Sequence, residues 1–120
     1  DFMACDSGMI PWILVAGLLA RQGARLAALI DDRRARFPSS GEINFRPSDP
    51  EAAIARVRDA LGPLALARDD TDGLSLAFAG WRLNLRRSGT EALLRLNVEA
   101  RGDAALVRRG VARATALIAG

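Results

Sequence analysis

The chain has 120 residues, room for one modest hydrophobic core or for a domain plus part of another. Half of the residues are apolar, which excludes intrinsic disorder, and the single Cys5 excludes an internal disulfide and fits a reducing compartment. The net charge is +3, and all 17 basic residues are arginines scattered through every segment without forming a block, a distribution that argues only weakly for nucleic acid, and no nucleic-acid partner is expected.

The first residue is Asp1, and the opening positions read as the end of a strand, so the sequence is expected to begin inside a larger protein. Asp6 or Ser7 is placed to cap the helix that follows, with Pro11 tolerated near its first turn. Met9–Ala20 is apolar nearly all round, the mark of a helix buried on most sides, yet no sheet nearby is available to bury it. The run contains a proline and falls short of the roughly 20 residues that cross a bilayer. With no signal peptide visible, the expected setting is cytoplasmic, soluble and without a membrane.

Gln22-Gly23 breaks that helix. Leu26, Leu29, Ile30 and Phe37 then mark one face of a second helix, opposite Asp31, Asp32, Arg33, Arg34 and Arg36. This charge cluster reads as a solvated face with weak local ion pairs. Pro38-Ser39-Ser40-Gly41 is a breaker cluster and the expected domain boundary. Three parts follow: residues 1–37, a linker at 38–41, and a domain at 42–120.

Glu42–Arg46 reads as a short strand. Ser48-Asp49-Pro50-Glu51 has the spacing of a capping box, with Ser48 as the cap and Glu51 reaching back. Ile54, Val57 and Leu61 form the buried stripe of the helix, and Gly62-Pro63 stops it. Leu64–Arg68 is expected to be a strand and Asp70-Thr71-Asp72-Gly73 a hairpin turn, since a calcium loop would need further ligands downstream. Leu74, Leu76 and Phe78 alternate with smaller residues, giving another strand. Ala79-Gly80 turns the chain into Trp81–Arg86. Leu93–Ala100 is the last strand, and Arg101-Gly102-Asp103 a turn whose aspartate caps the final helix. Val107, Val111, Ala114 and Ile118 are that helix's inward face, and Gly110 costs it about 1 kcal/mol relative to alanine. The order from Glu42 onward describes an α+β layer: an antiparallel sheet of about four to five strands with two helices on one face.

Between the last two strands lies the segment richest in chemistry. Leu83 and Leu85 face one way and Arg82, Asn84 and Arg86 the other; Leu94, Leu96 and Val98 repeat the pattern opposite Arg95, Asn97 and Glu99. The connection Arg86–Thr90 supplies a guanidinium, two hydroxyls and a glycine. Arginine offers a planar fork of donors to phosphate oxygens, Ser88 and Thr90 add short donors, and Gly89 is free to take positive φ so that backbone amides converge on an anion. From spacing alone the segment is either a phosphate cradle or a solvated hairpin turn.

Arg86-Arg87-Ser88-Gly89-Thr90-Glu91 resembles the C-terminal phosphate-binding loop of the α-D-phosphohexomutases, the phosphomannomutase/phosphoglucomutase group. Asp6-Ser7-Gly8-Met9-Ile10-Pro11-Trp12, Phe37-Pro38-Ser39-Ser40-Gly41-Glu42-Ile43-Asn44 and Leu94-Arg95-Leu96-Asn97-Val98-Glu99 agree with it in order. The resemblance implies the end of a third domain (1–37), a hinge (38–41) and a fourth domain (42–120). It implies an isomerase that interconverts hexose 1-phosphates and 6-phosphates with Mg²⁺, in which Arg86, Ser88, Gly89 and Thr90 hold the substrate phosphate that is not reacting.

Departures matter too. Gly89 stands where asparagine is common in phosphomannomutases and is shared with the phosphoglucosamine mutases, an alternative assignment; Ala92 stands where proline is common. The sequence holds no phosphoserine loop, no metal loop, no sugar-reading loop and no histidine. No catalytic or metal-ligating residue is therefore expected in this chain, which alone should be inactive. The expected partners are a hexose phosphate and the remaining mutase domains, with self-association through residues 9–20 as a further possibility. A small basic nucleic-acid-binding module is the other alternative.

Overall fold

The computed structural model describes residues 7–23 and 25–120. The expected strand end at residues 1–6, and Asp6 as a cap, lie outside the described residues. The chain divides between Arg33 and Arg34 into two compact units.

In the first unit, helix α1 spans Met9–Gln22 and ends at Gly23, whose φ of 59° is the left-handed stop glycine provides. Its cap position is Gly8, with no side-chain cap; Ser7 Oγ accepts from Met9 N only at 3.3 Å. No α1 residue is buried, and Met9, Trp12, Ile13 and Leu14 are each more than half exposed. Helix α2, Leu26–Arg36, runs across the division and also buries no residue.

The second unit is built on five antiparallel strands: β1 (Ile43–Phe45), β2 (Ala67–Asp69), β3 (Leu74–Phe78), β4 (Trp81–Arg87) and β5 (Leu94–Ala100), in the order β1-β5-β4-β3-β2. Period-two alternation sends Leu74, Leu76, Leu83, Leu85, Leu94, Leu96 and Val98 to one face, where all are buried. Helices α3 (Pro50–Leu61) and α4 (Ala104–Ala119) pack on this face and on each other, contributing Ala53, Val57 and Leu61, and Val107, Ala114 and Ile118. Each fully buried leucine contributes about 1.5–3 kcal/mol of transfer free energy, so this one-sided core holds the unit together. Arg56 of α3 ties the two helices by donating to the carbonyls of Leu117 (2.8 Å) and Ile118 (2.7 Å), which have no partner within α4. The α+β sheet with two helices on one face is as the sequence indicates.

Two local expectations change, and Gly110 gains a reason. The cap of α3 is Asp49, whose Oδ1 accepts from Ala52 N at 3.0 Å; Ser48 lies outside the helix, and Glu51 pairs with Arg87 instead of reaching back. Pro50 decides this, because proline is pre-shaped for the first helical position and leaves the residue before it as cap. The strand expected from Leu64 begins at Ala67, since Gly62–Leu64 continues α3 as a 3₁₀ turn that the fixed φ of Pro63 suits. Gly110 is a packing requirement: an added Cβ would stand 2.8 Å from the Trp81 ring and 2.9 Å from Val98 Cγ1. It lets α4 approach the sheet over Trp81, which stacks on Phe78 with ring centroids 4.1 Å apart.

Residues 38–41 run alongside β5. Ser40 N donates to Val98 O (2.8 Å), Val98 N to Ser40 Oγ (2.9 Å), and Ala100 N to Pro38 O (3.0 Å). Gly41, at φ 65°, then turns the chain into Glu42 and β1.

Candidate phosphate site at the β4–β5 connection

Strand alternation points Arg86 away from the core, onto the sheet face that carries no helix. The antiparallel register sets it directly opposite Arg95 of β5. Like charges in that position repel, so the pair needs counter-charge. Glu42 supplies it from the start of β1: Oε1 is 3.5 Å from Arg95 Nε, and Oε2 is 3.8 Å from Arg86 Nη2. Asp72 (3.8 Å from Arg86 Nε) and Glu91 (3.8 Å from Arg95 Nη2) complete the cluster. Arg95 Nε is buried and makes no hydrogen bond; the Glu42 oxygen meets it as a charge but is not aligned as an acceptor. The guanidiniums open onto a hollow of about 380 Å³ on this face, which Asn84, Asn97 and Ser75 also line.

Arg87 points the other way and is held by Glu51 of α3 at 2.8 Å, which ties the start of the connection to a helix. Ser88 N donates to Leu93 O (2.9 Å), closing the connection on itself. Inside it, Thr90 N (3.4 Å) and Glu91 N (3.3 Å) both donate to Ser88 Oγ. Two successive amides thus converge on one oxygen of the half-buried Ser88. Gly89 and Thr90 are exposed.

The means differs from the expected one. Gly89 does not adopt positive φ, and an added Cβ there would meet nothing within 4 Å. The amides converge through the serine hydroxyl and not through a left-handed glycine. Nor do Ser88, Gly89 and Thr90 line either hollow that Arg86 borders. Arg86 is brought together with Arg95 and Glu42, and the hydroxyl-amide turn stands beside them. Arg95 and Glu42 were not among the expected site residues. The signal that finds them is the register: the outward-facing residue opposite Arg86 is another arginine.

A family profile described as "Phosphoglucomutase/phosphomannomutase, C-terminal domain" matches residues 42–117, more than half of the chain. The chain belongs to this family. A phosphomannomutase of Salmonella montevideo is 58% identical over 107 residues, covering 89% of this chain. Phosphohexose mutases of Xanthomonas campestris pv. campestris are 54% identical over the same length. A phosphomannomutase of Vibrio cholerae is 44% identical over 119 residues, 98% of this chain. The chain spans about a quarter of the length of these relatives, 24% of the Salmonella protein. As a C-terminal part of a phosphohexomutase, it carries the connection that bears the family resemblance on a sheet end rich in arginine. The phosphomannomutase relatives do not favour the phosphoglucosamine mutase alternative.

Among the described residues, no group of three or more His, Cys, Asp or Glu side chains is arranged to hold a metal ion, so no residue here is assigned to Mg²⁺. Nor is any single helix among them long and apolar enough to cross a membrane.

Proposed function

We propose that this chain forms the substrate-phosphate grip of a hexose-phosphate mutase acting on mannose and glucose phosphates, holding the phosphate that is not being transferred. The observation that carries the reading is the Arg86–Arg95 cross-strand pair beside the converging Thr90 and Glu91 amides. Two guanidiniums supply charge at any working pH, and Ser88, Gly89 and Thr90 supply hydrogen bonds from hydroxyls and backbone. Each charge-assisted contact contributes about 1.5–3 kcal/mol. Binding energy gathered at the remote phosphate orients the reacting end of the sugar. The reacting residues, the Mg²⁺ ligands and the sugar-reading residues belong to the remaining domains, so the chain alone is inactive.

The exposed apolar α1 supports assigning residues 1–37 to the preceding domain, whose remainder would cover that helix; alone, the chain would self-associate through residues 9–20. The bacterial metabolic relatives and the single cysteine support a cytoplasmic setting. The uncovered sheet face presents Arg82, Arg86 and Arg95 with no aromatic among its lining residues, and base stacking therefore has no platform there.

Amide NMR of the chain titrated with inorganic phosphate and with glucose 1-phosphate tests the reading. Shifts at Arg86, Ser88, Gly89, Thr90 and Arg95, abolished in Arg86→Ala, are expected. Shifts confined to other residues would refute it.

A further inference from the structure

We propose that Glu42 is a built-in competitor for the phosphate: its carboxylate occupies the place between Arg86 and Arg95 that a phosphate takes, and so sets which anions the site accepts. The inference rests on the phosphate reading above and goes beyond it, because nothing in that reading gives Glu42 a role.

Among the described residues, Glu42 is the one carboxylate that reaches both guanidiniums, with one oxygen on each. Asp72 and Glu91 each reach a single arginine. Bridging two like charges on adjacent strands is the task a phosphate would perform, and a carboxylate does it incompletely: both contacts are 3.5 Å or longer, and Arg95 Nε is left without an acceptor. A phosphate dianion brings a second charge and further acceptor oxygens, enough to displace Glu42 and satisfy that donor. A single external carboxylate offers no more than Glu42 already does and is excluded. Glu42 is 44% exposed and follows Gly41, so it can swing into solvent without disturbing the core.

The test is phosphate titration of the chain at low ionic strength, read by amide shifts, for the unsubstituted protein, Glu42→Gln and Asp70→Asn. Asp70→Asn adds the same charge, but Asp70 is paired with Arg68 and, among the described residues, forms no ion pair with Arg86 or Arg95. Glu42→Gln is expected to bind phosphate about five- to tenfold tighter, the reach of two partly exposed ion pairs, with Asp70→Asn within about twofold of the parent. Glu42→Asp, too short to bridge both arginines, should tighten binding in the same direction. Acetate should perturb the Arg86 and Arg95 amides in Glu42→Gln and not in the parent. If the parent binds phosphate and Glu42→Gln binds equally or more weakly, Glu42 positions the arginines and does not compete, and the proposal falls while the phosphate reading stands. If no variant shows shifts at Arg86 or Arg95, the phosphate reading fails and takes the proposal with it.

Discussion

Gly73 is the position where a single methyl group should damage fold and site together. It closes the β2–β3 hairpin at φ 76°, and an added Cβ would stand 2.6 Å from Leu85 O, 2.6 Å from Arg86 Cβ and 2.8 Å from Arg86 Cα. The left-handed backbone costs an alanine about 1–2 kcal/mol. The overlap adds about 1–3 kcal/mol, because two of the three atoms struck are main chain of β4 and cannot rotate away. Reduced freedom of the unfolded chain returns at most about 1 kcal/mol, so Gly73→Ala should destabilise by roughly 1–5 kcal/mol. The turn itself is braced: Asn84 Nδ2 donates to Asp72 O at 2.8 Å and to Ser75 Oγ at 3.0 Å, so relief by moving the turn would break those bonds. Relief by moving β4 would displace Arg86. Urea unfolding followed by far-UV circular dichroism measures the first effect, and phosphate titration of the folded protein measures the second. A variant within about 0.5 kcal/mol of the parent, the range of an ordinary surface change, would refute the reasoning.

Gly110→Ala should destabilise by up to about 2 kcal/mol, since overpacking against Trp81 and Val98 costs about 1–3 kcal/mol and helix propensity returns about 1. Gly89→Ala, in open space at an ordinary φ, should be neutral or stabilising by up to about 1 kcal/mol in the same urea experiment. Asp103→Ala removes the acceptor for Ala105 N (2.7 Å) and Leu106 N (3.2 Å), and α4 should lose about 0.5–2 kcal/mol, seen as a lower urea midpoint at unchanged slope. The Thr71 hydroxyl and amide hold the Asp69 carboxyl below the usual carboxylate range. Its contribution is therefore full above that range and lost as pH falls below it, and a carboxyl ¹³C titration should show Asp69 protonating later on acidification than a free aspartate.

The elements that were legible in the sequence are those whose pattern maps onto one face. Leu83, Leu85, Leu94, Leu96 and Val98 alternate without interruption, so strand, inward face and helix-covered side follow together. Asp103 ahead of an amphipathic run gives the start of α4 for the same reason. Where two readings shared the same residues, a stereochemical detail decided between them. Ser48 and Asp49 both suit a cap, and Pro50 awards the role to its neighbour. Leu64 and Leu66 suit a strand, but Pro63 carries the helix one turn further.

The site was legible only as far as local chemistry reaches. Arg86 and Ser88 announce a candidate anion site by composition, whereas Arg95 and Glu42 join the cluster through pairing, which no local pattern contains. The pairing is fixed by the connection: Ser88 N to Leu93 O closes it, Arg87 then faces Leu94, and Arg86 faces Arg95. Sliding β5 by one residue would turn Arg95 to the helix side and bring Leu94 or Leu96 to the open face, at the loss of several buried leucines. The hydrophobic alternation that builds the core therefore also holds two arginines side by side against their mutual repulsion. A core worth many kcal/mol overrides a surface repulsion worth about one, which Glu42 offsets in this structure and which, in the proposed function, a bound phosphate would relieve.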